Sequence, residues 1–251
     1  MSSLTPHSQV ALVTGAGRNI GRAIALALAG AGAAVAVNVR SSVEEGQSVV
    51  DEIVAAGGRA ILCVADVTVR EQVDAMIAQI EQTYGRLDIL VNNAAVRDEA
   101  EFGQLDYASW RHAMSVCLDG AFHCTQAALA LLQESRNGSV INIGGLTAHT
   151  GASHRVHVVT AKAGLVGMTR ALAHELAPSG ITVNCLSPGL IDTQRHGAAP
   201  APNHHATRTN LVGRRGQPSE IGEAVLWLAG AGGRYVTGQT IHLNGGAYLG
   251  G

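Results

Sequence analysis

Val10-Ala11-Leu12-Val13-Thr14-Gly15-Ala16-Gly17-Arg18-Asn19-Ile20-Gly21 is the stretch on which the fold turns. Four apolar residues in a row read as a buried strand. The glycines that follow read as a tight turn. Residues 22–31, rich in Ala and Leu and stopped by Gly30 and Gly32, read as a helix. A glycine-rich turn between strand and helix lets the backbone approach a pyrophosphate, and the helix N-terminus favours its charge. The strand–turn–helix context lifts this pattern above a chance run of glycines.

Outward from that turn, the same alternation continues. Apolar strand-like runs are expected at 34–39, 60–64, 89–91, 139–143, 181–186 and 240–243. Helical patterns are expected at 43–56, 70–84, 107–132 (one helix or two), 157–176 and 219–229. Strands alternating with helices imply an α/β fold, a doubly wound parallel sheet of about seven strands with helices on both faces. There is no linker and no repeat, so residues 1–251 read as one domain. Residues 193–218 stand apart, with little periodicity and no acid. They hold four arginines (Arg195, Arg208, Arg214, Arg215) and three histidines (His196, His204, His205). A long loop of this kind inside a compact domain is usually functional, and we read it as a substrate lid.

Composition narrows the class. Hydrophobic residues make up 47% of the chain and aromatics 3%, so the core must be built from Ala, Val, Leu and Ile. A net charge of -2 gives no global footprint for nucleic acid. No apolar run reaches the roughly 18 residues of a membrane span. Met1 to Gln9 carries no signal pattern, so a cytoplasmic protein is expected. Cys63, Cys117, Cys124 and Cys185 are scattered and read as reduced core thiols. His204-His205 and His154 with His157 lack an acid or cysteine at ligand spacing, so no metal site is expected.

The second strand ends Asn38-Val39-Arg40-Ser41-Ser42. An NAD site needs an acid here for the ribose 2′-hydroxyl, and an NADP site needs a cation for the 2′-phosphate. Val39 stands where the acid would be. Arg40 and Ser41, with Arg18, suit a phosphate, so NADP(H) is expected in preference to NAD(H).

Thr14-Gly15-x-x-x-Asn19-x-Gly21 resembles the Thr-Gly-x-x-x-Gly-x-Gly of the short-chain dehydrogenase/reductase family, single-domain Rossmann type, with Asn19 in place of the middle glycine. Asn tolerates unusual backbone angles better than most residues. Asp66-Val67 is similar to the pair that faces adenine. Asn92-Asn93-Ala94-Ala95 resembles the Asn-Asn-Ala-Gly after the fourth strand. Pro188-Gly189, with Ile191 and Thr193 following, resembles the stretch that closes on the nicotinamide. Tyr235-Val236-Thr237-Gly238 with Asn244-Gly245-Gly246 resembles the C-terminal signature. The resemblance covers roughly residues 8 to 248. It implies a cofactor site of Gly15, Gly17, Arg18, Asn19, Ile20, Gly21, Arg40, Ser41, Asp66, Val67, Asn92, Ala94, Lys162, Pro188, Gly189, Ile191 and Thr193.

The family's catalytic tetrad of Asn, Ser, Tyr and Lys carries over at one position only, Lys162. Cys117 stands at the Asn position, Gly145 at the Ser position and Val158 at the Tyr position. A positioned acid contributes about 10²- to 10⁴-fold, so ordinary ketone reduction should be very slow. His154 and Arg155 lie four before Val158 and seven before Lys162, on one face if the helix reaches back that far, and either is a candidate replacement donor. His157, beside Val158, is a weaker one. Thr147, two residues past Gly145, is a candidate hydroxyl. The expected function is an NADP(H)-dependent oxidoreductase of atypical type, acting on an activated C=N, C=C or C=O. The alternative is a catalytically inactive subunit or nucleotide-binding scaffold in a hetero-oligomer with an active paralogue. A lyase or dehalogenase ranks last, because the nucleotide motif is kept. The expected partners are a small-molecule substrate, anionic to suit the basic lid, and three further copies of the chain. The resemblance implies a homotetramer built through residues 107–132, 157–176 and the last strand.

Overall fold

The strands β1 (Val10–Val13), β2 (Ala34–Val39) and β4 (Ile89–Asn92) are buried at every position. That explains their unbroken apolar runs, since a sheet covered on both faces has no polar side. The computed structural model describes residues 9–135, 137–194 and 210–250. With β3 (Arg59–Val64), β5 (Ser139–Ile143), β6 (Thr182–Pro188) and β7 (Thr240–Leu243), these strands form one seven-stranded sheet in the order β3-β2-β1-β4-β5-β6-β7. Every pairing is parallel. The chain winds one way from β1 to β3 and the other way from β4 to β7. Val13 pairs with both Val37 and Val91, so the reversal opens a crevice at the carboxyl ends of β1 and β4.

Helices cover both faces. One layer holds α1 (Asn19–Gly30), α2 (Val43–Ala55) and α8 (Pro218–Ala229), packing Ile24, Leu28, Val49, Ile53, Val225 and Leu228 on the sheet. The other holds α3 (Arg70–Tyr84), α5 (Gly120–Glu134) and α7 (Val156–Leu176), with Val73, Ile80, Leu131, Leu132 and Leu176. Small residues bring helices within a layer close. A Cβ on Gly222 of α8 would sit 3.0 Å from the Ala23 carbonyl oxygen of α1. This is the single-domain α/β architecture expected from the alternating pattern.

The segment read as one or two helices is both. α4 (Tyr107–Met114), capped by the Asp106 carboxylate on the Ser109 N–H at 2.6 Å, runs into α5 through a π turn at Ser115–Asp119. An 18-residue stretch of this 28-residue rod has a mean hydropathy of 1.2, enough by length and composition for a membrane span. Half of that stretch is buried within the domain, as in a core helix.

α7 begins later than the donor argument requires. The chain before it is a loop, α6 (Thr147–Thr150) followed by Gly151 at φ 69° and His154 at φ 61°. Arg155, at φ -134°, is the N-cap and lies outside the helix. The His154 carbonyl accepts from the Ala100 N–H at 2.8 Å. The helical register therefore does not extend to His154, and the four-residue spacing from His154 to Val158 does not place them on one face.

Candidate active site

The turn after β1 is held from three sides. The buried Asn38 amide oxygen accepts from the Gly15 N–H at 3.3 Å, while its nitrogen donates to the Cys63 and Ala65 carbonyls at 3.2 and 3.0 Å. Asn93 donates to the Thr14 and Gly15 carbonyls at 2.8 and 3.0 Å, and the Thr14 hydroxyl receives the Asn93 and Ala94 N–H groups. Glycine is required where the turn meets the helix. Gly15 has φ 62°, and a Cβ on Gly21 would lie 2.3 Å from the Gly15 carbonyl oxygen. The backbone thus leaves an open, donor-lined cradle at the amino end of α1. Asn19 takes φ 51°, a left-handed conformation that Asn adopts at modest cost. Its amide exchanges two hydrogen bonds with the Gln194 backbone, at 2.9 and 2.8 Å, tying the turn to the segment that follows β6.

The cradle opens into an outer cavity of about 510 Å³. Gly15, Gly17, Arg18, Asn19, Ile20 and Gly21 line one side, and Arg40, Ser41, Ser42 and Glu45 line the end beyond β2. Asp66, Val67 and Ala94 close the third side. Asp66 also holds its own loop, accepting from the Thr68 N–H and hydroxyl at 2.9 and 2.7 Å.

An inner cavity of about 350 Å³ adjoins it and shares Ile20, Asn93 and Arg97. Its walls are Gly144, Gly145 and Thr147 after β5, Val158 and Lys162 on α7, and Pro188, Gly189, Ile191 and Thr193 after β6. Arg97, Arg155 and Arg215 complete it, and among the described residues no carboxylate lines it. The Lys162 ammonium donates to the Ile143 carbonyl at 2.5 Å. Burial, with repulsion from Arg97 and Arg155, holds Lys162 below the usual lysine value, and the thiols of Cys117 and Cys185 act the other way. Among the described residues, no tyrosine lines either cavity.

Comparison with known proteins gives this geometry its family. Residues 15–248 match the family model described as enoyl-(acyl carrier protein) reductase. The chain belongs to the short-chain dehydrogenase/reductase family. Among curated relatives of this dehydrogenase/reductase, the 3-oxoacyl-acyl-carrier-protein reductase FabG of Staphylococcus aureus is 38% identical over 240 residues, covering 95% of this chain and 98% of its own. The hydroxy(phenyl)methylsuccinyl-CoA dehydrogenase subunit BbsD of Thauera aromatica is 39% identical over 243 residues, covering 96% and 97%. Two solved structures are similar. A dehydrogenase/reductase from Sinorhizobium meliloti 1021 has a TM-score of 0.92 at 37% identity, over 98% of this chain and 97% of its own. A short-chain dehydrogenase from Burkholderia cenocepacia J2315, in complex with NADP, has a TM-score of 0.90 at 33% identity, over 96% and 98%.

Most residues singled out from the sequence of this dehydrogenase/reductase converge on the two cavities, but not all. Asn92 does not line either one. It is buried under β4, donating to Thr125 Oγ1 and Asn142 Oδ1 at 3.1 and 2.9 Å, and its neighbour Asn93 takes the exposed place. The reason is strand alternation: Asn92 is the last residue of β4 and points into the core. His154 lines neither cavity, for the reason given by the start of α7, whereas Arg155 and Thr147 line the inner one. Cys117 is 2% exposed, on the π turn, and does not reach the cavity surface. Of the four arginines in residues 193–218, Arg215 reaches the inner cavity. Arg214 is spent on Glu220, with two bonds of 2.8 and 2.7 Å that help hold the amino end of α8. Arg195, Arg208, His196, His204 and His205 lie outside the described residues. Arg97 and Glu45 were missed. Only the turn away from β4 puts Arg97 over the cavity, and nothing in its sequence neighbourhood signals that.

The four cysteines are free and buried. Burial pushes Cys63 and Cys124 up to about 12 and Cys185 up to about 11, so these thiols stay protonated. His157 is 2% exposed, and burial holds it below the ordinary imidazole value, opposed by Asp98 and assisted by Arg155. The folded chain therefore keeps it neutral where the unfolded chain binds a proton. Its contribution is complete above about pH 6.5 and declines as the pH falls through that value. His149 and His242, also lowered mainly by burial, act in the same direction. A thermal midpoint flat from about pH 7 to 8 and falling below about 6.5 is the expected result, with His157→Gln reducing that slope. A midpoint that rises on acidification would contradict it.

Proposed function

We propose that the protein is a cytoplasmic, NADP(H)-dependent oxidoreductase that reduces an activated double bond without a tyrosine acid. The observation that carries this reading is the contrast between the two cavities. The outer one fits a dinucleotide: Gly15 and Gly21 leave no room for a side chain where a pyrophosphate would lie, Arg40 and Ser41 stand at the end beyond β2, and Arg18 lines the same cavity. The inner one has Gly145 and Val158 where the family's hydroxyl donors would stand, beside an intact Lys162. When bound, the reduced nicotinamide supplies a hydride.

The chain's own groups then decide which substrate gains most. Arg97, Arg155, Lys162 and Arg215 line the inner cavity. A cationic iminium gains nothing from the Lys162 charge, and a simple ketone lacks a proton donor for its alkoxide. An alkene conjugated to a carbonyl develops a delocalised enolate charge, which fixed cations stabilise without a proton transfer at the same moment. Lys162 is the group we assign to that charge, with the Ile143 carbonyl holding its ammonium in place. Among the three substrate classes left open by the sequence, the activated C=C is thus the one favoured. The matching family model is itself described as an enoyl reductase.

The preference for NADP(H) rests on Arg40. Arg40→Ala should weaken NADPH by about tenfold or more, the worth of a charge-assisted phosphate contact, and leave NADH within about twofold. Calorimetric titration of both nucleotides checks it, and an equal loss for NADH and NADPH would refute the assignment.

A second reading has one observation behind it. The similar chain from Thauera aromatica is named as a subunit. A protein that binds the nucleotide tightly, turns over no alkene and co-purifies with an intact paralogue would be the silent partner of a hetero-oligomer. The homotetramer is proposed for the first reading, with Tyr107 on α4 at 75% exposure and Phe122 on α5 at 49% left to cover. Light scattering at the mass of one chain would contradict it.

A further inference from the structure

We propose that Asn19 is a positioning residue: through its side chain, the turn at the nucleotide site also fixes a wall of the inner cavity. The inference rests on the outer cavity being the nucleotide site, as argued above, and goes beyond it by naming the contact that couples the two cavities.

Asn19 belongs to both. It is the first residue of α1 and lines the outer cavity, so its own N–H is one of those a helix leaves for a ligand. Its side chain pairs with Gln194 as another backbone amide would. Nδ2 donates to the Gln194 carbonyl at 2.9 Å, and Oδ1 accepts the Gln194 N–H at 2.8 Å. Two bonds between two planar groups fix orientation as well as distance. They help to hold a backbone at φ 51°, which persists in a non-glycine residue only where its surroundings over-determine it.

Gln194 ends a short segment whose other anchor is Gly216. Ile191 pairs with Gly216, the Asp192 N–H donates to the Gly216 carbonyl at 2.8 Å, and the Gly216 N–H donates to the Leu190 carbonyl at 2.9 Å. Ile191 and Thr193, within this segment, line the inner cavity with Lys162. Thr193 Oγ1 accepts only a long bond, 3.5 Å from Arg97 Nη1. The clasp at Asn19 is therefore the firm tie at the far end of that wall. A glycine at position 19 would accept the same φ but has no atom to reach Gln194. A nucleotide that draws on the turn tightens the clasp, and by reciprocity a closed clasp tightens the nucleotide.

The test combines hydrogen–deuterium exchange at the Gln194 N–H with calorimetric titration of NADP⁺. In Asn19→Gly that amide should exchange about fivefold or more faster than in the wild type, the worth of one hydrogen bond, while β1 exchanges as before. Saturating NADP⁺ should slow the Gln194 exchange about fivefold or more in the wild type and leave it unchanged in Asn19→Gly. NADP⁺ should bind Asn19→Gly more weakly by that same factor. A contact that only supports the fold would speed exchange in the variant without any response to NADP⁺ in the wild type. Gln194→Pro removes the N–H from the other end of the clasp and leaves the turn's own sequence intact, so it should weaken NADP⁺ similarly. Full NADP⁺ affinity in Gln194→Pro would overturn the proposal, because the loss in Asn19→Gly would then come from a freer turn. Equal Gln194 exchange in Asn19→Gly and the wild type would overturn it too. NADP⁺ heat with no change at Gln194 would overturn the coupling alone, whereas no heat in the wild type would overturn the cofactor reading and the coupling with it.

Discussion

The double substitution Gly145→Ser with Val158→Tyr is expected to raise reduction of simple ketones by about 10²-fold or more. Both sites can receive the new groups. A Cβ on Gly145 meets nothing within 4 Å, and its hydroxyl would enter the inner cavity. Val158 lies in the first turn of α7, one turn before Lys162, and already lines the same cavity. A phenol there would lie toward the ammonium, whose charge lowers the phenol's pKa and readies it as a proton donor. Val158→Tyr alone should give most of the gain and Gly145→Ser alone little, because the hydroxyl assists an oxyanion that still needs its proton. Steady-state NADPH oxidation with a saturated ketone measures it. A wild-type protein that already reduces that ketone as fast as the double variant would mean that another group supplies the proton.

Gly21→Ala is expected to abolish detectable nucleotide binding, a loss of about 10²-fold or more in affinity. Its Cβ would lie 2.3 Å from the Gly15 carbonyl oxygen, 2.6 Å from Asn93 Nδ2 and 2.9 Å from the Ala16 Cα. Two of these are backbone atoms and cannot swing away. The amino end of α1 must move off the turn, which spoils the cradle aimed at the pyrophosphate. Overpacking of this kind costs about 1–3 kcal/mol, so the thermal midpoint should fall by roughly 2–4 °C per kcal/mol. Gly30→Ala is the matched control, since a Cβ there meets nothing within 4 Å. Equal NADPH affinity in Gly21→Ala and the wild type would remove the turn from the cofactor site.

The lining of the outer cavity was legible in the sequence because it is local. A glycine turn, the residues at the end of β2 and the stretch after β6 are contiguous segments, and strand–turn–helix order suffices to place them. The substrate half depends on where α7 starts. Spacing alone put His154 in line with Val158 and Lys162, yet Gly151 and His154 take positive φ values and end that register before the helix begins. Asn92 and Asn93 differ by one residue and by a whole face of the sheet, and only the last residue of β4 decides which one meets the cavity. Arg97 and Arg155, 58 positions apart in the chain, become neighbours of Lys162 only through the parallel order of β4 and β5. Long-range convergence of that kind leaves no periodic trace.

The central claim is that this dehydrogenase/reductase works by charge stabilisation without a tyrosine acid. Its most direct test is the rate at which the wild-type protein oxidises NADPH with 4-oxopent-2-enoate and with the saturated 4-oxopentanoate. The two share the same carboxylate and the same carbonyl and differ in the activated double bond alone. The account predicts that the enone is turned over at least about 10²-fold faster, the smallest advantage expected when the ketone lacks its positioned acid. Equal rates, or a faster ketone, would contradict it.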